Sequence, residues 1–155
     1  MALKIGDKAP DFKLQNGNKE FVQLSTFKGK SNVLILFYPL AFSSVCTTEL
    51  CSVRDNMKLY NAFDAEVLGI SVDSLFVQST FKKAQNINYE LLSDFNKDVS
   101  EAYGVLNENF FGMEGVSKRS AFLVDKNGEI QYAEVLEDAS LVPDFKAIQA
   151  KLTEL

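Results

Sequence analysis

The side chains best suited to chemistry in this chain are two cysteines, Cys46 and Cys51, and they stand in a sequence without histidine. No Cys–His pair, Ser–His–Asp triad or histidine-ligated metal can therefore be assembled within it. Two cysteines alone also make a poor zinc site, and no cofactor or metal is expected. A reactive cysteine here must owe its thiolate to another device, either a helix N-terminus or a nearby arginine or lysine. The segment Pro39-Leu40-Ala41-Phe42-Ser43-Ser44-Val45-Cys46 can supply the first. It follows an apolar run, Val33–Phe37, that reads as a buried strand ended by Pro39. Beyond Cys46, Leu50, Val53, Met57 and Tyr60 recur at helical spacing and predict a helix to about Ala62. Cys46 then falls in the first helical turn, where free N–H groups and the helix dipole favour negative charge. Ser43 and Ser44 can cap that helix, and Ser43 can offer a hydroxyl to a reacting oxygen. The residues alone fit a second reading equally well: a small buried hydrophobe at 46 preceded by two capping serines.

The remaining elements must place this strand–helix junction. Phe12–Leu14 and Phe21–Gln23 flank Asn16-Gly17-Asn18 and predict an N-terminal β-hairpin. Val67–Val72 is a second buried strand, and Ser74–Gln85 a helix with Leu75, Phe76, Thr80, Phe81 and Ala84 available for its inner face. Glu90–Leu92 reads as a short strand, Val99–Tyr103 as a short helix closed by Gly104, and 105–118 as loop. Ala121–Val124 and Ile130–Val135 flank Asp125-Lys126-Asn127-Gly128, a hairpin signal. Pro143 marks the first turn of a C-terminal helix. The alternation predicts an α/β fold, a central mixed sheet flanked by helices, in one domain over 1–155.

With 16 basic and 21 acidic residues the net charge is -5, which argues against a nucleic-acid surface. The strongest apolar run, Val33–Tyr38, is far shorter than the roughly 20 residues needed to span a bilayer. The charged segment Met1–Phe12 does not read as a secretory signal. A cytoplasmic protein is expected, in which a permanent structural disulfide is out of place.

Pro39-x-x-x-Ser43-x-x-Cys46 resembles the peroxiredoxin active-site signature, Pro-x-x-x-Thr/Ser-x-x-Cys. Gly6–Phe12 (GDKAPDF) is similar to that family's N-terminal segment. Cys46–Cys51 (CTTELC) resembles the nucleophile helix of the bacterioferritin-comigratory, or PrxQ, branch, and Tyr38–Phe42 (YPLAF) the alkyl hydroperoxide reductase E-like branch. Arg119–Asp125 (RSAFLVD) resembles the strand that carries the family's active-site arginine. The resemblance spans about residues 4 to 135 and implies a thioredoxin-like fold. It implies a thiol-dependent peroxidase acting on hydrogen peroxide and organic hydroperoxides, recycled by a thioredoxin-type reductant. Cys46 matches the peroxidatic cysteine, Ser43 the hydroxyl that binds peroxide oxygen, and Pro39 the shielding proline. Arg119 matches the arginine that polarises the O–O bond, and Glu49 the carboxylate that holds it. Most members carry threonine where this chain has Ser43, so the methyl that fixes the hydroxyl's rotamer is absent. A homodimer is implied, with Phe42 and Phe110 suited to the contact.

Cys51 has two readings. In the PrxQ branch a cysteine five positions after the nucleophile resolves the sulfenic acid as a disulfide. In a one-cysteine enzyme it is inert and an outside thiol resolves. Two other classes share the fold. A thiol-disulfide oxidoreductase normally carries Cys-x-x-Cys rather than the Cys-x-x-x-x-Cys seen here, and a binding module would hold incidental cysteines. A glutathione-peroxidase-like reading needs a tryptophan that this chain lacks. Phe37, Phe42, Phe81, Phe122 and Phe145 read as core, although Phe42, Phe110 and Phe111 also suit a pocket wall or a subunit contact. Arg54 and Asp55 read as a solvated helix surface, with a place near the site as the alternative for Arg54.

Overall fold

Residues 3–155 are described in a computed structural model. Nine strands and five α-helices follow one another: β1 (Lys13–Asn16), β2 (Phe21–Gln23), β3 (Asn32–Phe37), α1 (Ser44–Asp55), α2 (Met57–Ala62), β4 (Ala65–Ser71), α3 (Leu75–Ala84), β5 (Glu90–Ser93), α4 (Asp98–Ala102), β6 (Leu106–Asn107), β7 (Val116–Ser117), β8 (Ser120–Val124), β9 (Ile130–Val135) and α5 (Phe145–Thr153). Seven strands form one sheet in the order β2-β1-β5-β4-β3-β8-β9. The inner strands β3, β4 and β5 run parallel, joined by helical crossovers, and antiparallel pairs flank them.

Every residue of β3 is buried, as its continuous apolar run requires of a strand covered on both faces. Its alternate side chains feed two cores. Leu34, Leu36 and Tyr38 pack with Cys46, Leu50 and Val53 of α1, Phe81 of α3 and Ile148 of α5. Val33, Ile35 and Phe37 pack on the opposite face with Phe12, Tyr103 and Phe122. There Phe37, Tyr103 and Phe122 meet at ring-centroid distances of 5.3–6.0 Å, within the range of favourable aromatic pairs.

Several elements differ from the sequence expectation. The helix predicted from Cys46 to Ala62 starts two residues earlier and is broken at Asn56, which leaves the helical region at φ -111°, ψ 13°. The Asn56 amide donates to the Ser52 carbonyl at 2.9 Å, a side-chain bond that competes with the helical ladder. Phe76 is 67% exposed and not on the inner face of α3. Gln78 is buried there instead, because the buried Tyr38 hydroxyl needs an acceptor and donates to Gln78 Oε1 at 2.5 Å. Pro143 precedes α5, whose N-cap is Asp144 accepting from Ala147 N–H at 3.1 Å. The stretch 105–118 contains a short ladder, with Leu106 opposite Ser117 and Asn107 opposite Val116. The 125–128 turn is as expected: Gly128 sits at φ 82°, and Asp125 accepts from the N–H groups of Asn127 and Glu129. No helix among the described residues is long and apolar enough to cross a membrane.

Candidate active site

The site begins where β3 gives way to α1. Tyr38 and Pro39 are buried, and the chain then turns outward through Leu40–Ser43. Phe42 adopts a left-handed backbone conformation, φ 68°, which is uncommon for a bulky residue. Phe42 is 52% exposed, outside the core, and its ring meets Phe81 edge-to-face at a centroid distance of 5.0 Å. A bond from Ala41 N–H to Asp73 Oδ2, 2.7 Å, ties the turn to the end of β4. Ser43 occupies the N-cap position, but its hydroxyl does not cap the helix and donates to the Leu40 carbonyl at 2.9 Å. The first helical bond runs from Thr47 N–H to the Ser43 carbonyl. The N–H groups of Ser44, Val45 and Cys46 therefore precede the ladder and mark the positive end of α1. Cys46, the third helical residue, is fully buried.

Arg119 reaches this sulfur from the neighbouring strand. Pairing of Phe37 with Ser120 puts Arg119 one residue beyond the end of β3, level with the start of α1. Its guanidinium is buried and in contact with three groups. Nη2 donates to Cys46 Sγ at 3.3 Å, and Nη1 donates to Glu49 Oε1 at 2.6 Å. Nε and Nη2 both donate to the Ala139 carbonyl, at 3.3 and 3.1 Å. Glu49 lies three residues after Cys46, on the same helical face. Burial pushes its carboxyl up to about 7, against the Arg119 charge, which favours the ionised form. Glu49 Oε2 is buried without a hydrogen-bond partner among the described residues. For Arg119, burial works against the charge, but Glu49 and Cys46 outweigh it and hold the guanidinium ionised.

Pro39, Ser43, Cys46, Glu49 and Arg119 thus gather around one junction. Cys51 lies further along the unbroken α1, half-buried, with its Sγ 3.6 Å from Gln85 Oε1. Arg54 is not a freely solvated side chain: Nη1 donates to the Gln85 carbonyl at 2.6 Å and Nε to Asp55 at 2.9 Å. Sequence reasoning missed the Ala139 carbonyl, a backbone group from a loop that carries no residue signature. It also missed Gln85 and Tyr89 near Cys51, which only the fold brings to α1. A groove of about 680 Å³ bordered by Phe12, Phe21, Phe76 and Phe95 contains neither cysteine.

The AhpC/TSA family profile matches residues 5–133. The chain belongs to the AhpC/TSA family. It is 38% identical over 135 residues to alkyl hydroperoxide reductase E of Mycobacterium tuberculosis, covering 86% of each chain. It is 39% identical over 133 residues to peroxiredoxin Bcp of Bacillus subtilis, covering 84% of this chain and 83% of that one. Its fold matches the crystal structure of peroxidoxin BcpB from Mycobacterium tuberculosis with a TM-score of 0.89 at 28% identity, over 99% and 98% of the two chains. The expected thioredoxin-like fold and peroxiredoxin membership both hold, and the chain is a thiol-dependent peroxidase.

Two outcomes follow from the Arg119–Glu49 geometry. Arg119→Lys should slow single-turnover peroxide consumption but retain more activity than Arg119→Ala, whose loss of a fixed donor should cost about 10²-fold. Stopped-flow fluorescence or peroxide-electrode traces measure both. Glu49 has a raised carboxyl in the folded chain, so its contribution to stability is fully present below the unfolded value near 4.5 and is lost as pH rises through about 7. Urea titrations between pH 4 and 8 should show a decline over that window that is absent in Glu49→Gln.

Proposed function

We propose that Cys46 is the nucleophile of the peroxidase reaction. The observation that carries this is the Arg119 guanidinium donating to a buried cysteine sulfur at a helix N-terminus. The Cys46 thiolate attacks one oxygen of the peroxide, forming an S–O bond as the O–O bond breaks. The cysteine is oxidised to a sulfenic acid, and the other oxygen leaves as hydroxide or alkoxide and takes up a proton. Negative charge moves from sulfur to oxygen along this path. Arg119 and the free N–H groups of α1 are fixed donors beside it, and fixed donors help most where charge develops. The Ser43 hydroxyl, its hydrogen given to the Leu40 carbonyl, offers its oxygen as an acceptor for the peroxide O–H. Pro39 shields the sulfur, and Glu49 positions the guanidinium.

Cys51 then resolves the sulfenic acid. Its thiolate attacks Cys46 sulfur, an S–S bond forms, and the hydroxyl leaves as water after protonation. A thioredoxin-type dithiol reduces the disulfide. Both cysteines lie on α1. On a regular helix five residues separate their Cα atoms by roughly 8.7 Å and turn them about 140° around the axis. A disulfide needs Cα atoms about 4.4–6.8 Å apart. The helix therefore unwinds near Cys46 before the bond closes, and the time this takes sets the competition with overoxidation to sulfinic acid.

The substrates are hydrogen peroxide and organic hydroperoxides, and the compartment is the cytoplasm. A homodimer belongs to the same reading, supported by the exposed side chain of Phe42 in the turn before α1, 52% exposed; of the other expected contact, Phe110 is half-buried against the exposed Phe111.

Cys46→Ser should abolish peroxide consumption, since a serine hydroxyl is not ionised near neutral pH and no histidine can activate it. Cys51→Ser should complete one turnover and stall with one added oxygen on Cys46, read by intact-mass spectrometry. Wild-type consumption by Cys46→Ser contradicts the assignment. Sustained turnover by Cys51→Ser at the wild-type rate, with a thioredoxin-type dithiol supplied as the reductant, removes Cys51 from the cycle.

A further inference from the structure

The two halves of α1 are anchored differently. At the first turn, Cys46 and Glu49 are held by side-chain bonds from one residue, Arg119. One of these, the bond to Cys46 Sγ, is to the atom that reacts. The second half is fastened to a different part of the molecule, the connection 85–89 between α3 and β5. The Tyr89 hydroxyl donates to the Leu50 carbonyl at 2.7 Å in a buried setting. Arg54 Nη1 donates to the Gln85 carbonyl at 2.6 Å, and Asn88 Nδ2 donates to the Arg54 carbonyl at 3.3 Å. Cys51 Sγ itself faces Gln85 Oε1 at 3.6 Å. None of these groups touches the reacting sulfur of Cys46, and nothing in the peroxide step uses them.

The Leu50 carbonyl has a special place in the ladder. If residues 44–49 leave the helix, the backbone bonds lost are those accepted by carbonyls 43 to 49, from N–H groups 47 to 53. The first bond that can survive is Arg54 N–H to Leu50 carbonyl, and the next is Asp55 N–H to Cys51 carbonyl. Tyr89 donates to that first surviving acceptor. Burial pushes the Tyr89 phenol up, so it stays protonated and remains a donor at physiological pH. Tyr89 also packs in the same core as Leu50 and Val53.

We infer that Tyr89, Gln85 and Arg54 are positioning residues for the resolving step: they clamp α1 from Leu50 onward, so unwinding stops there and Cys46 travels to a stationary Cys51. This rests on the reading of Cys51 as the resolving cysteine. The clamp matters because an attacking thiol that stays on a fixed helix keeps a high effective concentration near the incoming sulfenic acid. If the whole helix melted, both sulfurs would wander, closure would slow, and the sulfenic acid would meet a second peroxide more often. The Gln85 side chain suits the role chemically. Its amide accepts from the Cys51 thiol, and turned over it can donate to the thiolate that attacks.

Tyr89→Phe tests this, since it keeps the ring and deletes only the hydroxyl; Gln85→Leu tests the sulfur contact independently. In the wild type, amide hydrogen exchange of the disulfide form should show amides 47–53 exposed relative to the reduced form, while Arg54 and Asp55 amides stay protected. In Tyr89→Phe the oxidised form should lose protection at 54 and 55 as well. Stopped-flow oxidation of Cys46 should be unchanged in both variants. Disulfide closure should slow about fivefold, the factor corresponding to one hydrogen bond, and sulfinic acid at Cys46 should appear at correspondingly lower peroxide. Closure at the wild-type rate or faster in both variants, or loss of protection at 54 and 55 in the wild-type disulfide form, overturns the clamp while leaving Cys51 as the resolving residue. Absence of any Cys46–Cys51 disulfide overturns the reading beneath it and the clamp together.

Discussion

A buried guanidinium is the constraint on which the rest of this site depends. Taking an arginine out of water costs several kcal/mol unless its charge is paired and its donors are satisfied. Arg119 meets that demand with the Glu49 carboxyl, the Ala139 carbonyl and the Cys46 sulfur. The partners come from two places: α1 supplies Glu49 and Cys46, and the loop after β9 supplies Ala139. The Arg119 carbonyl in turn accepts from Leu136 N–H at 2.9 Å, which ties that same loop to the start of β8. Arg119 therefore orders the junction as well as charging it. Glu49 is the partner that bears the strain, buried with one oxygen unpartnered and its carboxyl pushed up by burial.

The absence of histidine gives this arrangement its chemical sense. A histidine base would make thiolate formation depend on its own protonation near neutral pH. An arginine is charged throughout, and backbone N–H groups do not titrate. The sulfur thus sits among donors whose strength does not change over the working range. In the proposed peroxide step the same donors remain in place while charge passes to the leaving oxygen, so that step requires little reorganisation. On the far side of Cys46 the turn 40–43 supplies shape rather than charge: Pro39 is buried, and Phe42 is held in an unfavourable backbone conformation by its packing on Phe81.

Much of this was legible in the sequence where one residue type has one physical use. The run Val33–Phe37 admits little but a buried strand, and the Asp125–Gly128 turn little but a hairpin. Cys46 in a first helical turn followed from strand, proline and helical spacing. What stayed hidden depends on partners distant in sequence. Gln78 is not among the residues expected on the inner face of α3, and it is there because the buried Tyr38 hydroxyl requires an acceptor. Arg54 looked solvated until the 85–89 connection came alongside α1. The Ser43 hydroxyl was legible as a nearby group, but its direction, toward Leu40 and not toward the helix, follows from the turn and not from the residue. The break at Asn56 was hidden because apolar spacing continues through it to Tyr60.

The central claim is that the fold, and not cysteine as such, makes Cys46 reactive. The most direct measurement compares the second-order rate constant for hydrogen peroxide at Cys46 in the folded Cys51→Ser chain with that of the same chain unfolded in urea at the same pH. The account predicts that the folded chain reacts faster by more than about 10²-fold, as expected when several fixed donors act on one developing charge. Equal rate constants in the two states would contradict it.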